Sequence, residues 1–534
     1  VSFKDPCLLV PWLVSTMARG NFTLLLAVLI NVALLALLGT KISSPAISSG
    51  IVKPSVNSGT RTRHSLSTHL HSLSSRASNI FRSSRSSSMA PWNALQREMD
   101  GWMQDAVIRR AIRGPARSRS KVHAAATEGQ GNEPVSLVLG GDGFCGWPTA
   151  LHLSENGHKV IIVDNLLRRK IDEELGTQSL TPIKSPEERV AAWKEVSGKD
   201  IEFINMDVSQ SLSDVMGLME KYKPDNIIHF AEIRAAPYSM KSPGNKAETV
   251  RNNLIGVHNV LIGMLEHVPD AHLIHLGTMG VYGYGTVDGA IPEGYVNVCM
   301  GEKEMEIVAP YHPGSVYHTT KCLDNVLFNF YVKNDQLRIT DLHQGIVWGV
   351  ETPETARDPR LVNRLDVDSD YGTVLNRFAV QSALGLDITP YGTGGQTRAF
   401  INIADTSRCI RIATENPPER GERVKIFNQV AESHRVRDLA GMMQKLSPAG
   451  AQVKNIPNPR NEKSENELEV INQNFRSFGW DPVLLDDGKA QELVDTIVKH
   501  KDRLVTNNLN PSSFWGKKQQ DACKEVDPAK APAM

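Results

Sequence analysis

Cysteine pairing is missing from this chain. Its 534 residues hold six cysteines, at 7, 145, 299, 322, 409 and 523, with no CxxC and no other paired spacing, which speaks against a disulfide framework and against a zinc site. No metal site is expected. Net charge is missing too: 59 Lys plus Arg match 59 Asp plus Glu, so no overall field draws nucleic acid to the molecule. Internal repeats are absent, which excludes solenoids and propellers. What remains is an ordinary globular composition, 40% apolar and 22% charged, on a chain long enough for two or more buried cores.

The charge balance hides a local asymmetry. Residues 41–127 carry 14 Lys or Arg against only Glu98, Asp100 and Asp105, with serine-rich runs such as Ser83–Ser88. Before them, residues 22–39 are apolar except for Thr23 and Asn31, and Arg19 precedes them. Eighteen positions lie on the border between a secretory h-region and a spanning helix. Residues 1–130 are therefore expected to be a targeting leader, with Met17 a candidate initiator. An apolar segment followed by a basic, serine-rich, acid-poor stretch resembles a bipartite plastid leader, which would place the folded part in the stroma. The alternative is a membrane anchor with the enzyme in the secretory pathway. On either view the membrane is met only through this leader.

The richest signal is Gly140-Gly141-Asp142-Gly143-Phe144-Cys145-Gly146, between the apolar run Val135–Leu139 and Lys159–Asp164. Strand, glycine turn, helix, strand and acid follow one another within about 30 residues, the context of a dinucleotide site. Gly140, Gly143 and Gly146 free the turn and let a pyrophosphate approach the helix N-terminus. Cys145 reads as a small residue tolerated against the cofactor. Asp164 can accept both ribose hydroxyls and would repel a 2′-phosphate, favouring NAD over NADP; Arg168 and Arg169 soften that preference. A plain strand-to-helix connection is the competing reading of the glycines.

Further strands are expected at 201–205, 226–230, 273–276 and 339–342, alternating with helical patterns. The fold class is α/β, a Rossmann doubly wound parallel sheet with a smaller, discontinuous substrate-binding lobe. We expect an NAD-binding domain over 134–350, a substrate-binding lobe mainly over 351–516 that returns to the core, and a disordered tail over 517–534. Residues 175–183 read as an insertion too long for a βα loop, of the kind that forms lids or interfaces. Tyr391–Arg398 reads as an exposed turn.

Tyr317-His318-Thr319-Thr320-Lys321 puts a phenol and an ammonium at i and i+4, on one helix face. Positive charge nearby lowers a phenol pKa, which lets Tyr317 act as a base. Thr278, after the strand at 273–276, can hold the same substrate hydroxyl. Alone, a YxxxK is most often a solvated helix face; its place after a glycine fingerprint and a strand-ending threonine gives it weight.

Together these parts resemble the extended short-chain dehydrogenase/reductase superfamily and, within it, the UDP-sulfoquinovose synthase family. The resemblance covers roughly residues 135–515. It rests on the glycine turn with Trp147, Asp164-Asn165-Leu166, Ser179-Leu180-Thr181-Pro182-Ile183, Ala236-Pro237-Tyr238-Ser239-Met240, Gly277-Thr278-Met279-Gly280, Gly394-Gly395-Gln396-Thr397-Arg398 and Asn458-Pro459-Arg460.

It implies an NAD enzyme acting on UDP-glucose. Tyr317 would take the O4 proton as the C4 hydride leaves, the 4-keto sugar would lose water across C5 and C6, sulfite would add at C6, and the hydride would return. Sulfite would arrive free or from a donor protein. For the cofactor the resemblance implies Phe144, Cys145, Asn165, Asp207 and Asn252 or Asn253 beside the glycines, Asp164, Arg168, Tyr317 and Lys321. For the substrate it implies Arg234, Thr278 and Gln344, with Asn376, Arg377, Gln396, Arg398, Asn458 and Arg460 at the nucleotide diphosphate, where arginine forks suit phosphate. Arg234 suits an anion such as sulfite, with a structural ion pair as the alternative. A homodimer is implied as well.

Three departures touch the elimination and sulfite steps. Val281 stands where the family has glutamate, Ile233 and Ala235 replace two polar residues, and His343 replaces asparagine. His318 is then the remaining candidate base for the C5 proton. A UDP-hexose 4-epimerase, which needs only Thr278, Tyr317 and Lys321, and a non-catalytic NAD-binding protein are the other readings.

Overall fold

Alternation of apolar residues builds the central sheet. In β1 (Val135–Leu139) the side chain of Val138 packs on one face while Leu137 and Leu139 pack on the other, and none of the three is exposed to solvent. β2 (Lys159–Asp164), β3 (Ile201–Asn205), β4 (Asn226–His229) and β5 (His272–Leu276) lie in the same sheet, joined by β8 (Arg338–Gln344) and β11 (Lys425–Gln429). Their order is β11-β8-β5-β4-β1-β2-β3 and every pairing is parallel. A parallel sheet needs both faces covered. Each fully buried aliphatic side chain here contributes about 1.5–3 kcal/mol. The computed structural model describes residues 133–283, 289–509 and 511–524, so the leader expected over 1–130 lies outside them. Among the described residues no helix is long and apolar enough to cross a membrane.

One face is covered by α1 (Gly146–Glu155), behind the glycine turn, and by α3 (Pro186–Ser197). Between them α2 (Leu167–Glu174) follows β2. Ser185 and Glu188 form a capping box at the start of α3, with Pro186 at the first helical position. The other face is covered by α4 (Leu212–Tyr222), α5 (Pro243–His267) and α6 (Val316–Asp335). A second sheet, β12-β10-β9, is built from β9 (Ile346–Trp348), β10 (Thr397–Asn402) and β12 (Glu432–Arg435). With α7 (Val374–Leu384), α9 (Val436–Lys445) and α10 (Asp487–Lys499) it encloses a separate apolar core. α8 (Ile403–Glu415) leads from β10 back to β11, at the edge of the large sheet. β6 (Tyr295–Met300) and β7 (Lys303–Val308) form an antiparallel hairpin.

Of the two roles expected for residues 175–183, the contacts fit an interface and not a lid: Leu180 N–H donates to Leu365 O at 2.9 Å, Thr181 Oγ1 to Asn363 O at 2.6 Å, and Arg503 Nε to Leu180 O at 2.9 Å. Two expectations need correction. Tyr391–Arg398 is not an exposed turn, since Gly394 to Arg398 are buried and Thr397 already begins β10. Residues 517–524, expected to be disordered, form a helix; lysine, glutamine and alanine favour one.

Candidate active site

β1 delivers its backbone into a turn that only glycine can make. Gly140 has φ +79°, and a Cβ there would sit 2.7 Å from the Phe230 carbonyl carbon and the Ala231 nitrogen. A Cβ on Gly146 would lie 2.2 Å from Gly140 O. α1 thus starts hard against the turn, and no side chain caps it. Trp147 N–H already turns back to Gly143 O at 3.1 Å and Pro148 has no N–H, so within the first turn Gly146 N–H is the donor left for an outside acceptor.

The cleft above the turn measures about 920 Å³ with its open mouth included. It runs from Gly140, Gly143, Phe144, Cys145 and Gly146 past Asp164, Asn165, Arg168, Asp207 and Asn252 to Tyr317 and Lys321. Asp164 accepts the N–H of Asp142 at 2.9 Å and of Leu166 at 2.7 Å. Burial, and then the neighbouring Asp142 carboxylate, lift its pKa to about 6. The flanking arginines are committed elsewhere. Arg169 grips Asp142 through bonds of 2.7 and 2.9 Å, and Arg168 pairs with Asp172, Asp366 and Asp368. Neither is a spare cation for a 2′-phosphate. Of the two asparagines, Asn252 faces the cleft, while Asn253 bonds Ile233 and Thr320.

Tyr317 and Lys321 stand at the far end of this cleft because Ser315 caps α6, accepting the N–H of His318 at 3.2 Å. Thr278, just past β5, accepts the N–H of Gly280 at 3.1 Å and lies beside the Tyr317 phenol, which it draws slightly downward. Burial lifts that phenol to about 12, against the pull of the Lys321 ammonium. The ring of His318 fills the space where a side chain at Gly280 would go, 2.3 Å from an ideal Cβ. Burial, with Arg460 and Arg398 beyond it, pushes His318 down to about 3, so the imidazole is neutral near pH 7.

A second cavity, about 1560 Å³ including open space, opens beside the first and shares Phe144, Cys145, Arg234, Leu276, Tyr317 and Tyr371 with it. Thr278, His318, Gln344, Arg377, Gln396, Arg398 and Arg460 are on its wall. Asn376 and Asn458 are not. Asn376 donates to Asp366 O at 2.9 Å, and Asn458 braces the wall by accepting Arg460 N–H at 2.9 Å and donating to Glu462 at 3.2 Å. Arg398 is paired with Glu462, and Arg377 donates to Thr389 and stacks 4.2 Å from the Tyr391 ring centre. Arg234 both lines the junction and pairs with Asp366 at 2.6 Å. Gln344 donates to Thr406 Oγ1 and Gln429 Oε1.

Sequence reasoning passed over the acids that organise this junction. Asp366 binds Arg168, Arg234 and Arg364; burial works against its ionisation, but the three guanidiniums outweigh burial and hold its carboxyl below the usual range. Tyr371 lines both cavities, with the Arg168 guanidinium 3.8 Å from its ring centre. The alternating run Asp366, Asp368, Asp370 was the available signal. The departures differ in their surroundings. Val281 is 1% exposed in an apolar cluster with Met279, Ile291, Ala309 and Val430, off the cavity wall. Ile233 and Ala235 pack with Ile171 and Tyr238, yet Ile233 lines the first cleft and Ala235 the second, so both present apolar surface to the site. His343 is buried between Asp341 and Tyr282.

Residues 136–428 match the NAD dependent epimerase/dehydratase family. The chain belongs to that family. It is 39% identical over 422 residues to the chloroplastic UDP-sulfoquinovose synthase of Spinacia oleracea, an alignment covering 78% of this chain and 87% of that one. It is 37% identical to the UDP-sulfoquinovose synthase of Sulfolobus acidocaldarius, covering 72% of this chain and 98% of the relative. Among solved structures, UDP-glucose 4-epimerase from Bifidobacterium longum in complex with NAD+ and UDP superposes with a TM-score of 0.52 at 18% identity, over 69% of this chain and all of that one. The epimerase of Thermotoga maritima with UDP-glucose gives 0.51 at 19%, over 68% and 99%. These two establish the fold.

The family's cofactor fits the residues present. The glycine turn lets a pyrophosphate approach the start of α1, where Gly146 N–H can donate to it, Asp164 retains lone pairs for ribose hydroxyls, and Arg168 and Arg169 are neutralised, as suits NAD.

Proposed function

We propose that this chain converts UDP-glucose and sulfite to UDP-sulfoquinovose with NAD as its cofactor, a step toward sulfolipid. The observation that carries the reading is the meeting of Thr278, Tyr317 and Lys321 where the two cavities join. Identity of 39% to a named UDP-sulfoquinovose synthase supports the substrate. Bound in the first cleft, NAD supplies a hydride acceptor that later returns what it took. The protein's own part is proton handling and orientation. Tyr317 takes the proton of the sugar O4, Lys321 favours the phenolate that must precede this, and Thr278 keeps the hydroxyl in line. Neutral His318, on the same wall, accepts the C5 proton once a 4-keto group has acidified it. Arg234 offers positive charge to sulfite, partly offset by Asp366. Arg377, Arg398 and Arg460 hold the diphosphate and Gln396 the nucleotide.

Val250 and Ile255 on α5 and Leu323, Val326 and Phe330 on α6 are exposed, and the two helices pack side by side. That apolar face supports a homodimer. A plastid location is supported by the chloroplastic relative from spinach.

The test is to incubate the full chain with UDP-glucose, with and without sulfite, to separate the nucleotide sugars by anion-exchange chromatography, and to identify each by mass and proton NMR, which tells the C4 epimers apart. A sulfonated nucleotide sugar is expected. UDP-galactose alone would replace the reading with a 4-epimerase, and no product with a non-catalytic protein.

A further inference from the structure

Behind Lys321 lies a charge cluster that the proposed chemistry has not used. The ammonium touches Leu276 O at 2.7 Å, Glu232 Oε1 at 2.8 Å and His275 Nε2 at 3.1 Å. Glu232 Oε1 is also 2.9 Å from His275 Nε2, and the opposite ring nitrogen of His275 is 2.8 Å from Asp341 Oδ1. Asp341 Oδ2 continues the chain, meeting Asn325 Nδ2 at 3.0 Å and His343 Nε2 at 3.1 Å, and His343 Nδ1 meets Tyr282 Oη at 2.8 Å. The side chains of Glu232, His275, Lys321 and Asp341 are each at most 3% exposed, with Glu232 and Lys321 at the floor of the first cleft. Such groups persist in a dry interior only when their charges balance.

They do balance. Lys321 and a protonated His275 oppose Glu232 and Asp341. Burial and Lys321 act against the imidazolium, but Asp341 and Glu232 raise His275 to about 9. Asp324 Oδ2 lies 3.6 Å from His275 Nε2, and among the described residues neither of its oxygens has a hydrogen-bond partner. Burial, then Glu232, pushes that carboxyl upward, against its ionisation. His229, whose ring centre is 6.0 Å from that of His275, is pushed by burial to about 3 and is neutral. Glu232, His275 and Asp324 bring ligand-type atoms within 4.8 Å of one another, yet the Lys321 ammonium already supplies the positive charge a cation would bring.

We propose that Glu232 and His275 are positioning residues for Lys321: the carboxylate anchors its ammonium while the imidazolium offsets the carboxylate, so Lys321 keeps its field at Tyr317. This rests on Tyr317 and Lys321 being the working pair. Were Glu232 opposed by Lys321 alone, the ammonium would be neutralised from behind and the phenol would hold its proton. Were Glu232 uncharged, two cations would face Tyr317.

The two removals therefore move the Tyr317 phenol in opposite directions, which a purely structural role would not do. The phenolate is read at about pH 7.5, where His275 is charged, by the rate at which tetranitromethane nitrates Tyr317 in the full chain, followed by peptide mass spectrometry. Glu232→Gln, which keeps an acceptor oxygen, raises the Tyr317 nitration rate about tenfold, and His275→Gln lowers it about tenfold. His275→Lys restores the charge and the rate. Changes of the same sign, or none, overturn the proposal. If Glu232→Gln does not fold, the two His275 variants decide: a missing fall, or one that lysine fails to reverse, overturns it. The nitration needs no turnover, so it stands apart from the product test of the sulfoquinovose reading.

Discussion

Tyr317 carries the reaction as one proton on one oxygen. Tyr317→Phe keeps the ring and its packing and removes only that oxygen, so turnover is expected to fall about a thousandfold, within the range of general acid–base catalysis. NAD content after purification stays unchanged, because the glycine turn and Asp164 remain. Retained turnover, measured by product mass spectrometry, would remove Tyr317 from its role. The opposite lesson comes from Val281. In sequence it reads as a lost catalytic carboxylate, and restoring glutamate there reads as a repair. Its side chain is buried among Met279, Ile291, Ala309 and Val430 instead. Val281→Glu should cost about 2–4 kcal/mol of stability, the price of an unpaired carboxyl in an apolar pocket. Its melting temperature falls and sulfonated product does not increase; a stable, faster variant would show that the glutamate reaches the substrate.

α6 places Tyr317, His318 and Lys321 within its first two turns, and its entry is set by Ser315. Ser315→Ala removes one cap and is expected to cost about 1 kcal/mol. Because the fraying falls on the reacting residues, turnover should drop by more than the loss of folded protein accounts for. Comparing activity with the circular-dichroism melt at the assay temperature checks this; activity that merely tracks the folded fraction would make α6 a passive carrier. The same element shows what sequence can convey. Strands β1 and β2 are legible because a strand buried on both faces carries a continuous apolar run, as in Val160–Val163, while β3 to β5 and β8 show shorter β-branched or apolar stretches between helical patterns. The β6–β7 hairpin is not, since Lys303, Glu304 and Glu306 give β7 no buried face and most of its residues are exposed. Tyr317 and Lys321 are legible because one helix carries both. Glu232, His275 and Asp341 are not, because they follow or sit on β4, β5 and β8 and meet only once the sheet forms, 43 and 66 residues apart. Helix periodicity cannot report a contact made across strands.

The whole molecule sets two of its own properties, association and stability. If α5 and α6 form the homodimer face, Val326→Asp, at a position 61% exposed, should leave the fold and its melting temperature nearly untouched and shift sedimentation from dimer to monomer; an unchanged sedimentation coefficient would move the interface elsewhere. Stability against pH follows from the buried charges that join the strands. His275 holds its proton more tightly folded, at about 9, than its ordinary value of 6.5. Its contribution is therefore complete below pH 6.5 and is lost as pH rises through 9. Glu232 works in the other sense: burial opposes its charge, but Lys321 and His275 hold it below the carboxylate range, so its contribution stands above about pH 4.5 and fades only in acid. The melting temperature should decline by about 3 °C between pH 6.5 and 9 on account of His275. In His275→Gln, whose side chain has no proton to lose there, that part of the decline disappears, while the acid limb persists because Glu232 still pairs with Lys321. A variant that melts with the same alkaline slope as the native chain would mean that the imidazole is already neutral in the fold, leaving Lys321 as the sole cation facing Glu232 and Asp341.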